Sequence, residues 1–318
     1  MSPRNRLVIL GMGGTIAGEA KTASDNIGYT AAQVSVGDLL AAIPGTLPAE
    51  AVELEQVAQL DSKDMGLPSL SLLAERVCHW LSLSDVHGVV ITHGTDTLEE
   101  TAYFLQQVCS PAKPVVLTCA MRPATAFAPD GPQNLRDALT VAQHRTASGV
   151  LVVCAGRVHT ARDVQKNHTY LLDAFTSGDA GCVAYIEEGD LRQVGKWPVP
   201  VENHSACMLA KFAEMTSADT WPRVEIVMNY VGASGATVDA LMALGLQGIV
   251  VAGTGNGTVH HSLETALLRA KEKGVVVIRA TRCANGRVLP IAGAQFPDSE
   301  GLSPVKARIA LILRLLAS

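Results

Sequence analysis

Long apolar runs are missing from this chain. None approaches the roughly 18 uninterrupted apolar residues that a membrane span requires. Aromatic residues make up only 4% of the 318 positions, and no Lys/Arg stripe occurs. A base-stacking or phosphate-tracking surface is therefore not expected, and nucleic acid is excluded as a partner. The net charge is a modest -5. The seven cysteines are odd in number and contain no Cys-x-x-Cys pair. Several, such as Cys119 and Cys154, sit inside apolar runs, which fits free thiols in a reducing compartment better than a disulfide framework. No His-x-x-x-His or clustered Cys/His spacing occurs, so no metal is expected. There is no Gly-x-Ser-x-Gly elbow, and the Gly-rich stretch 11–18 lacks both the dinucleotide spacing and a Walker lysine. Residues 1–6 are charged and lead into only four apolar residues, too few for a signal peptide. The expected location is cytoplasmic.

What the chain does have is alternation. Short apolar runs at 6–10, 53–59, 88–92, 114–119 and 149–154 predict strands, and amphipathic stretches at 35–42, 68–83, 97–109 and 134–146 predict helices. This rhythm indicates an α/β domain with a mostly parallel sheet. Residues 189–222, with two Gly, Trp197-Pro198-Val199-Pro200 and Trp221-Pro222, break the pattern and read as a linker. The alternation then resumes, with strands at 224–228, 248–252 and 275–279, helices at 236–244 and 260–273, and a final helix from about 304. The expected organisation is two α/β domains: a larger N-terminal one over 1–188 and a smaller parallel-sheet one over 223–318.

Two turns stand out. Gly13-Gly14-Thr15-Ile16-Ala17-Gly18 follows the first strand, and His93-Gly94-Thr95-Asp96-Thr97 follows the third. Both place a threonine where a buried strand gives way to a Gly-rich turn, the position at which open parallel sheets bind ligands. Residues 19–29 read as a loop able to close over such a site. A threonine hydroxyl is a weak nucleophile that needs a proton acceptor and an orienting group. Histidine is the usual base, but His93 reads as a structural part of its turn, and His204, His260 and His261 lie in polar segments. An arrangement of Thr95, Asp96 and Lys166 remains open, beside the alternative that Lys166 is an ordinary surface lysine. Gly253-Thr254-Gly255-Asn256-Gly257 is a third strand-end turn, ambiguous by itself.

Taken together, the two threonine turns resemble those of the bacterial-type L-asparaginases. Further segments match in order: Ser62-Lys63-Asp64-Met65, Ala120-Met121-Arg122-Pro123 with Asp130-Gly131-Pro132-Gln133-Asn134-Leu135, Arg162-Asp163-Val164-Gln165-Lys166, and the turn at Asn256. The resemblance spans nearly the whole chain. It implies two α/β domains, active sites formed between the N-terminal domain of one subunit and the C-terminal domain of another, and assembly as dimers or tetramers. It also implies hydrolysis of L-asparagine to L-aspartate and ammonia, some glutaminase activity, and no cofactor. Residue by residue, it makes Thr15 the nucleophile and Tyr29 the tyrosine of the loop beside it. Thr95, Asp96 and Lys166 become the second threonine with its Asp-Lys partners. Gly14, Ser62, Gly94, Thr95, Asp96, Ala120 and the neighbouring subunit's copy of Asn256 would line the substrate.

Two departures bear on specificity. Position 63 is lysine where many secreted members of the family carry glutamine, and residues 281–297 contain no counterpart of the glutamate those members supply from the second subunit. Two rival readings are a non-catalytic amino-acid sensor and the asparaginase-like subunit of a tRNA-dependent amidotransferase.

Overall fold

The computed structural model describes residues 6–43, 51–200, 211–212 and 221–317. His204 and Cys207 lie outside them. The chain divides into two compact units, Met1–Phe212 and Ala213–Ser318.

In the first unit the apolar runs form β1 (Arg6–Gly13), β2 (Val52–Leu60), β3 (Val86–Thr92), β4 (Pro114–Thr118) and β5 (Gly149–Cys154). All five are parallel, in the spatial order β2-β1-β3-β4-β5. β3, β4 and β5 are almost wholly buried, as strands covered on both faces must be. The connecting helices are α1 (Val36–Ala41), α2 (Leu67–Ser82), α3 (Leu98–Cys109) and α4 (Gly131–Gln143). Leu135, Ala138, Leu139 and Ala142 of α4 join Ile9, Val90, Val116 and Leu151 in one apolar cluster. α4 starts three residues before the expected 134 because Pro132 occupies its first turn, where a missing N–H costs nothing.

Five further strands follow β5: β6 (Arg157–Thr160), β7 (Gln165–Lys166), β8 (Phe175–Thr176), β9 (Ala184–Glu187) and β10 (Asp190–Gln193), the last four not anticipated. β6, β9 and β10 extend the large sheet antiparallel beyond β5, while β7 and β8 form a separate two-stranded hairpin. The stretch 189–222, expected as a linker, begins with residues that take part in this sheet. Residues 190–193 pair with β9 as the edge strand, anchored by the Arg192–Glu187 ion pair (2.6 Å). Residues 201–210 and 213–220 of that stretch lie outside the described residues.

The second unit holds three parallel strands, β11 (Val224–Met228), β12 (Gly248–Gly253) and β13 (Val276–Thr281), in that spatial order. On one face Ile249, Val251 and Val277 pack with α5 (Ala236–Ala243) and α6 (His261–Glu272). Leu311 of α7 (Pro304–Ala317) presses on Gly248, where a Cβ would lie 2.7 Å from its side chain. Among the described residues no helix is long and apolar enough to cross a membrane.

Candidate active site

The strand order fixes where a ligand belongs. Chain direction along the sheet reverses at β1, so the connections leaving β1 and β3 go to opposite faces and open a crevice at their C-terminal ends. The two threonine turns lie at those two ends.

β1 ends in two glycines with positive φ, Gly13 at 93° and Gly14 at 82°. Gly14 also has ψ -170°, a combination essentially reserved for glycine. A Cβ on Gly14 would sit 2.3 Å from the Cα and N of Gly94. The two turns therefore touch backbone to backbone, and no side chain fits between them. Thr15 then opens a short 3-10 turn, Thr15–Ala17, and is buried. Its hydroxyl has one side-chain partner, the Tyr29 hydroxyl at 2.6 Å. The loop carrying Tyr29 is laid against the site by a Glu19–Thr30 bridge and by bonds from Ala20 N to Thr125 Oγ1 and Phe127 N to Ala23 O.

The second turn is supported from two sides. Ser62 is buried at the start of the 3-10 turn Ser62–Asp64, after β2. Its hydroxyl accepts from Asp96 N (3.2 Å), and its carbonyl accepts from Thr97 Oγ1 (2.9 Å). Thr97 is the N-cap of α3 yet makes no side-chain cap, so its hydroxyl holds the site instead of the helix. From the other side β7 delivers Lys166, whose Nζ donates to Thr95 Oγ1 (2.8 Å) and Asp96 Oδ1 (2.6 Å). Thr95 is buried, while half of the Asp96 side chain remains open. The N–H groups of Gly94 and Thr95 have no acceptor among the described residues. Preorganised donors of this kind suit a developing oxyanion.

His93 is structural. It is fully buried, its Nδ1 donates to Gly94 O (2.7 Å), and its Nε2 lies 3.0 Å from Thr101 Oγ1. Burial pushes its pKa from 6.5 to about 4, against a smaller upward pull from the Gly94 hydrogen bond. As pH falls through 6.5, unfolded chains bind a proton that folded His93 refuses until about pH 4. Stability is therefore lost across that window and levels off below it. Urea unfolding should report a loss from this group of about 3 kcal/mol between pH 7 and 4. His93→Gln should lose correspondingly less over the same range.

Ala120 follows β4 and is buried. It depends on two residues for which the sequence suggested no role. Asp130 accepts from Met121 N (2.9 Å) and Arg122 N (3.0 Å). Asn134 donates to Cys119 O (2.9 Å) and accepts from Ala155 N (3.0 Å), tying the ends of β4 and β5 together. Both stand in the Asp130–Leu135 segment already noted as a motif, which was the available signal. Cys119, beside Ala120, is no rival nucleophile, because its hydrogen bond with Cys154 and complete burial hold the thiol well above its ordinary pKa. Among the described residues no group of His, Cys, Asp or Glu is placed to hold a metal ion.

The first unit thus gathers Gly14, Thr15, Tyr29, Ser62, Gly94, Thr95, Asp96 and Lys166 into one linked set, with Ala120 at the next strand end. Asn256 belongs to the second unit. It sits in the turn after β12, with Oδ1 accepting from Leu289 N (2.6 Å), while Thr281 Oγ1 holds Gly255 O (2.7 Å). Lys63 is drawn to the acids of its own turn, Asp61 (2.6 Å) and Asp64 (3.2 Å), and their hydrogen bonds raise its pKa.

An open parallel sheet with two apposed threonine turns at its switch point defines an α/β protein with a candidate active site at the strand ends. Residues 6–198 match the asparaginase N-terminal family, and residues 223–318 match the glutaminase/asparaginase C-terminal domain. The L-asparaginase 2 of Bacillus subtilis is 38% identical over 96% of this chain and 81% of its own length. The glutaminase-asparaginase of Pseudomonas fluorescens biotype A is 37% identical over 97% and 86%. A crystal structure of the probable cytoplasmic L-asparaginase of Campylobacter jejuni superposes with a TM-score of 0.89 at 34% identity, covering 99% of this chain and 96% of that one. The chain belongs to the asparaginase family.

Proposed function

We propose that this enzyme hydrolyses L-asparagine to L-aspartate and ammonia, with minor glutaminase activity, through a threonine nucleophile. The observation carrying this reading is the pair of hydroxyl centres on touching turns, Thr15 with Tyr29 at 2.6 Å and Thr95 with Lys166 at 2.8 Å. Thr15 Oγ1 attacks the side-chain amide carbon, and its proton passes to the Tyr29 hydroxyl, its side-chain hydrogen-bond partner among the described residues, as the phenolic proton of Tyr29 moves on to the amide nitrogen. The carbonyl oxygen gains charge facing the unpaired N–H groups of Gly94 and Thr95. The C–N bond breaks, ammonia leaves with a proton, and a β-aspartyl ester remains on Thr15. Water, oriented by Thr95 and Lys166, then cleaves the ester and restores the hydroxyl. The open carboxylate of Asp96 receives the substrate ammonium, and Ser62 with neighbouring backbone donors receives the α-carboxylate.

The same reading assigns the second unit to a neighbouring subunit's site through Asn256, in a homodimer or a homotetramer. Free thiols at six described cysteines support a cytoplasmic location. Ammonia release from L-asparagine tests the activity; its absence on asparagine, glutamine and related β-amides would favour the sensor reading. Site sharing is tested by mixing inactive Thr15→Ala subunits with Asn256→Ala subunits. Hybrids should regain part of the lost turnover, because one site in each then combines an intact Thr15 with an intact Asn256. Confirmed hybrids without regained activity would sink the sharing.

A further inference from the structure

We propose that Arg279 of β13 forms a carboxylate-binding site at the C-terminal edge of the second sheet. The side chain is only 9% exposed, and its Nε is fully buried without a hydrogen-bond partner. Among the described residues of this unit, no hydrogen bond or ion pair reaches the guanidinium. The acid in register with it, Asp298, directs its carboxylate to Glu300 N (2.8 Å) instead. A buried charge left uncompensated is among the costliest features a fold can retain, and a guanidinium fork matches a carboxylate with two parallel hydrogen bonds.

The surroundings form a place for such a ligand. Gly257 lies over the arginine stem, where an added Cβ would be 3.0 Å from Arg279 Cγ, 3.2 Å from its Cδ and 3.1 Å from Val288 Cγ2. Gly257 takes φ 74°, so the turn brings backbone where a side chain would press on the arginine stem. Arg282 and Arg287 follow on the same loop, both exposed and neither in an ion pair. The ion pair described in this unit, Arg269–Asp239, lies elsewhere, on α6 and α5. A strand-end position in a parallel sheet, a mostly buried guanidinium with an unpartnered Nε and two further cations all favour one chemistry: a carboxylate, from a small free acid or from an Asp or Glu side chain of a second copy of the chain.

The test uses the full-length protein and Arg279→Met, which keeps the stem and removes the charge. Thermal unfolding is followed as sodium acetate replaces sodium chloride at constant ionic strength, and self-association is followed by sedimentation equilibrium. If a free acid is the ligand, acetate at ten times its dissociation constant shifts the wild-type folding equilibrium about tenfold. Arg279→Met should then ignore acetate and be no less stable than wild type in chloride. If a second copy supplies the carboxylate, acetate has no effect and Arg279→Met dissociates at least about tenfold more readily, the loss expected for a buried charge pair. Arg279→Lys keeps the charge without the fork and should weaken whichever response the wild type has. It carries the test if the methionine variant fails to fold. Variants that match wild type in both acetate response and self-association would overturn the proposal.

Discussion

Thr15→Ala should lower turnover on L-asparagine by about 10⁴–10⁶-fold, the scale on which covalent hydrolases lose rate without their nucleophile. The fold should survive. Alanine is accommodated at the start of the Thr15–Ala17 turn, whose neighbours are held by backbone bonds such as Gly14 N to Leu60 O (2.9 Å). The variant loses the hydroxyl contact with Tyr29, worth about 1 kcal/mol. A catalytic loss this large beside a stability loss this small separates a reacting group from a structural one. Steady-state kinetics with urea unfolding of the same preparation reads both quantities. Activity within tenfold of wild type would remove Thr15 from the mechanism.

Gly14→Ala carries the second large effect, for a different reason. Its Cβ would enter the contact between the threonine turns at 2.3 Å from the Gly94 backbone, and its φ/ψ of 82° and -170° excludes other residues. Backbone strain of about 1–3 kcal/mol adds to an overpacking cost of about 1–3 kcal/mol. The expected result is a loss of about 2–6 kcal/mol, with turnover falling at least about a hundredfold as the Thr15 and Thr95 turns separate. Gly181→Ala is the matched control. Gly181 has nearly the same conformation, φ 69° and ψ 173°, but nothing within 4 Å of an added Cβ. It should pay the strain alone and leave turnover unchanged. Equal effects of the two substitutions would mean that the close approach of the turns does not matter.

The parallel halves of both units were legible because a strand covered on both faces must be apolar along its length. Val86–Thr92 and Gly149–Cys154 carry that signal unambiguously. The antiparallel extension was not. Asp190–Gln193 is largely exposed and polar, and it is a strand only because β9 offers it a pairing edge. Gln165–Lys166 is a two-residue strand, too short for any periodicity. The site divides along the same line. Thr15 and Thr95 were visible locally, since each follows a strand end and Gly-rich turn. Lys166 is 71 positions from Thr95, and only family resemblance favoured their pairing over an ordinary surface lysine. Asp130 and Asn134 stood in a matching motif without a role, because their partners are backbone groups at strand ends, Met121 N and Ala155 N, whose need for support appears only once the sheet is assembled.

The central claim is that the hydroxyl at the end of β1 makes the covalent bond, while the one at the end of β3 assists. Rapid acid quenching of the enzyme during turnover of L-asparagine, followed by peptide mass spectrometry, tests this directly. A β-aspartyl ester on the peptide containing Thr15, absent from Thr15→Ala, is the predicted result. An ester on Thr95, or full turnover in Thr15→Ala, would contradict it.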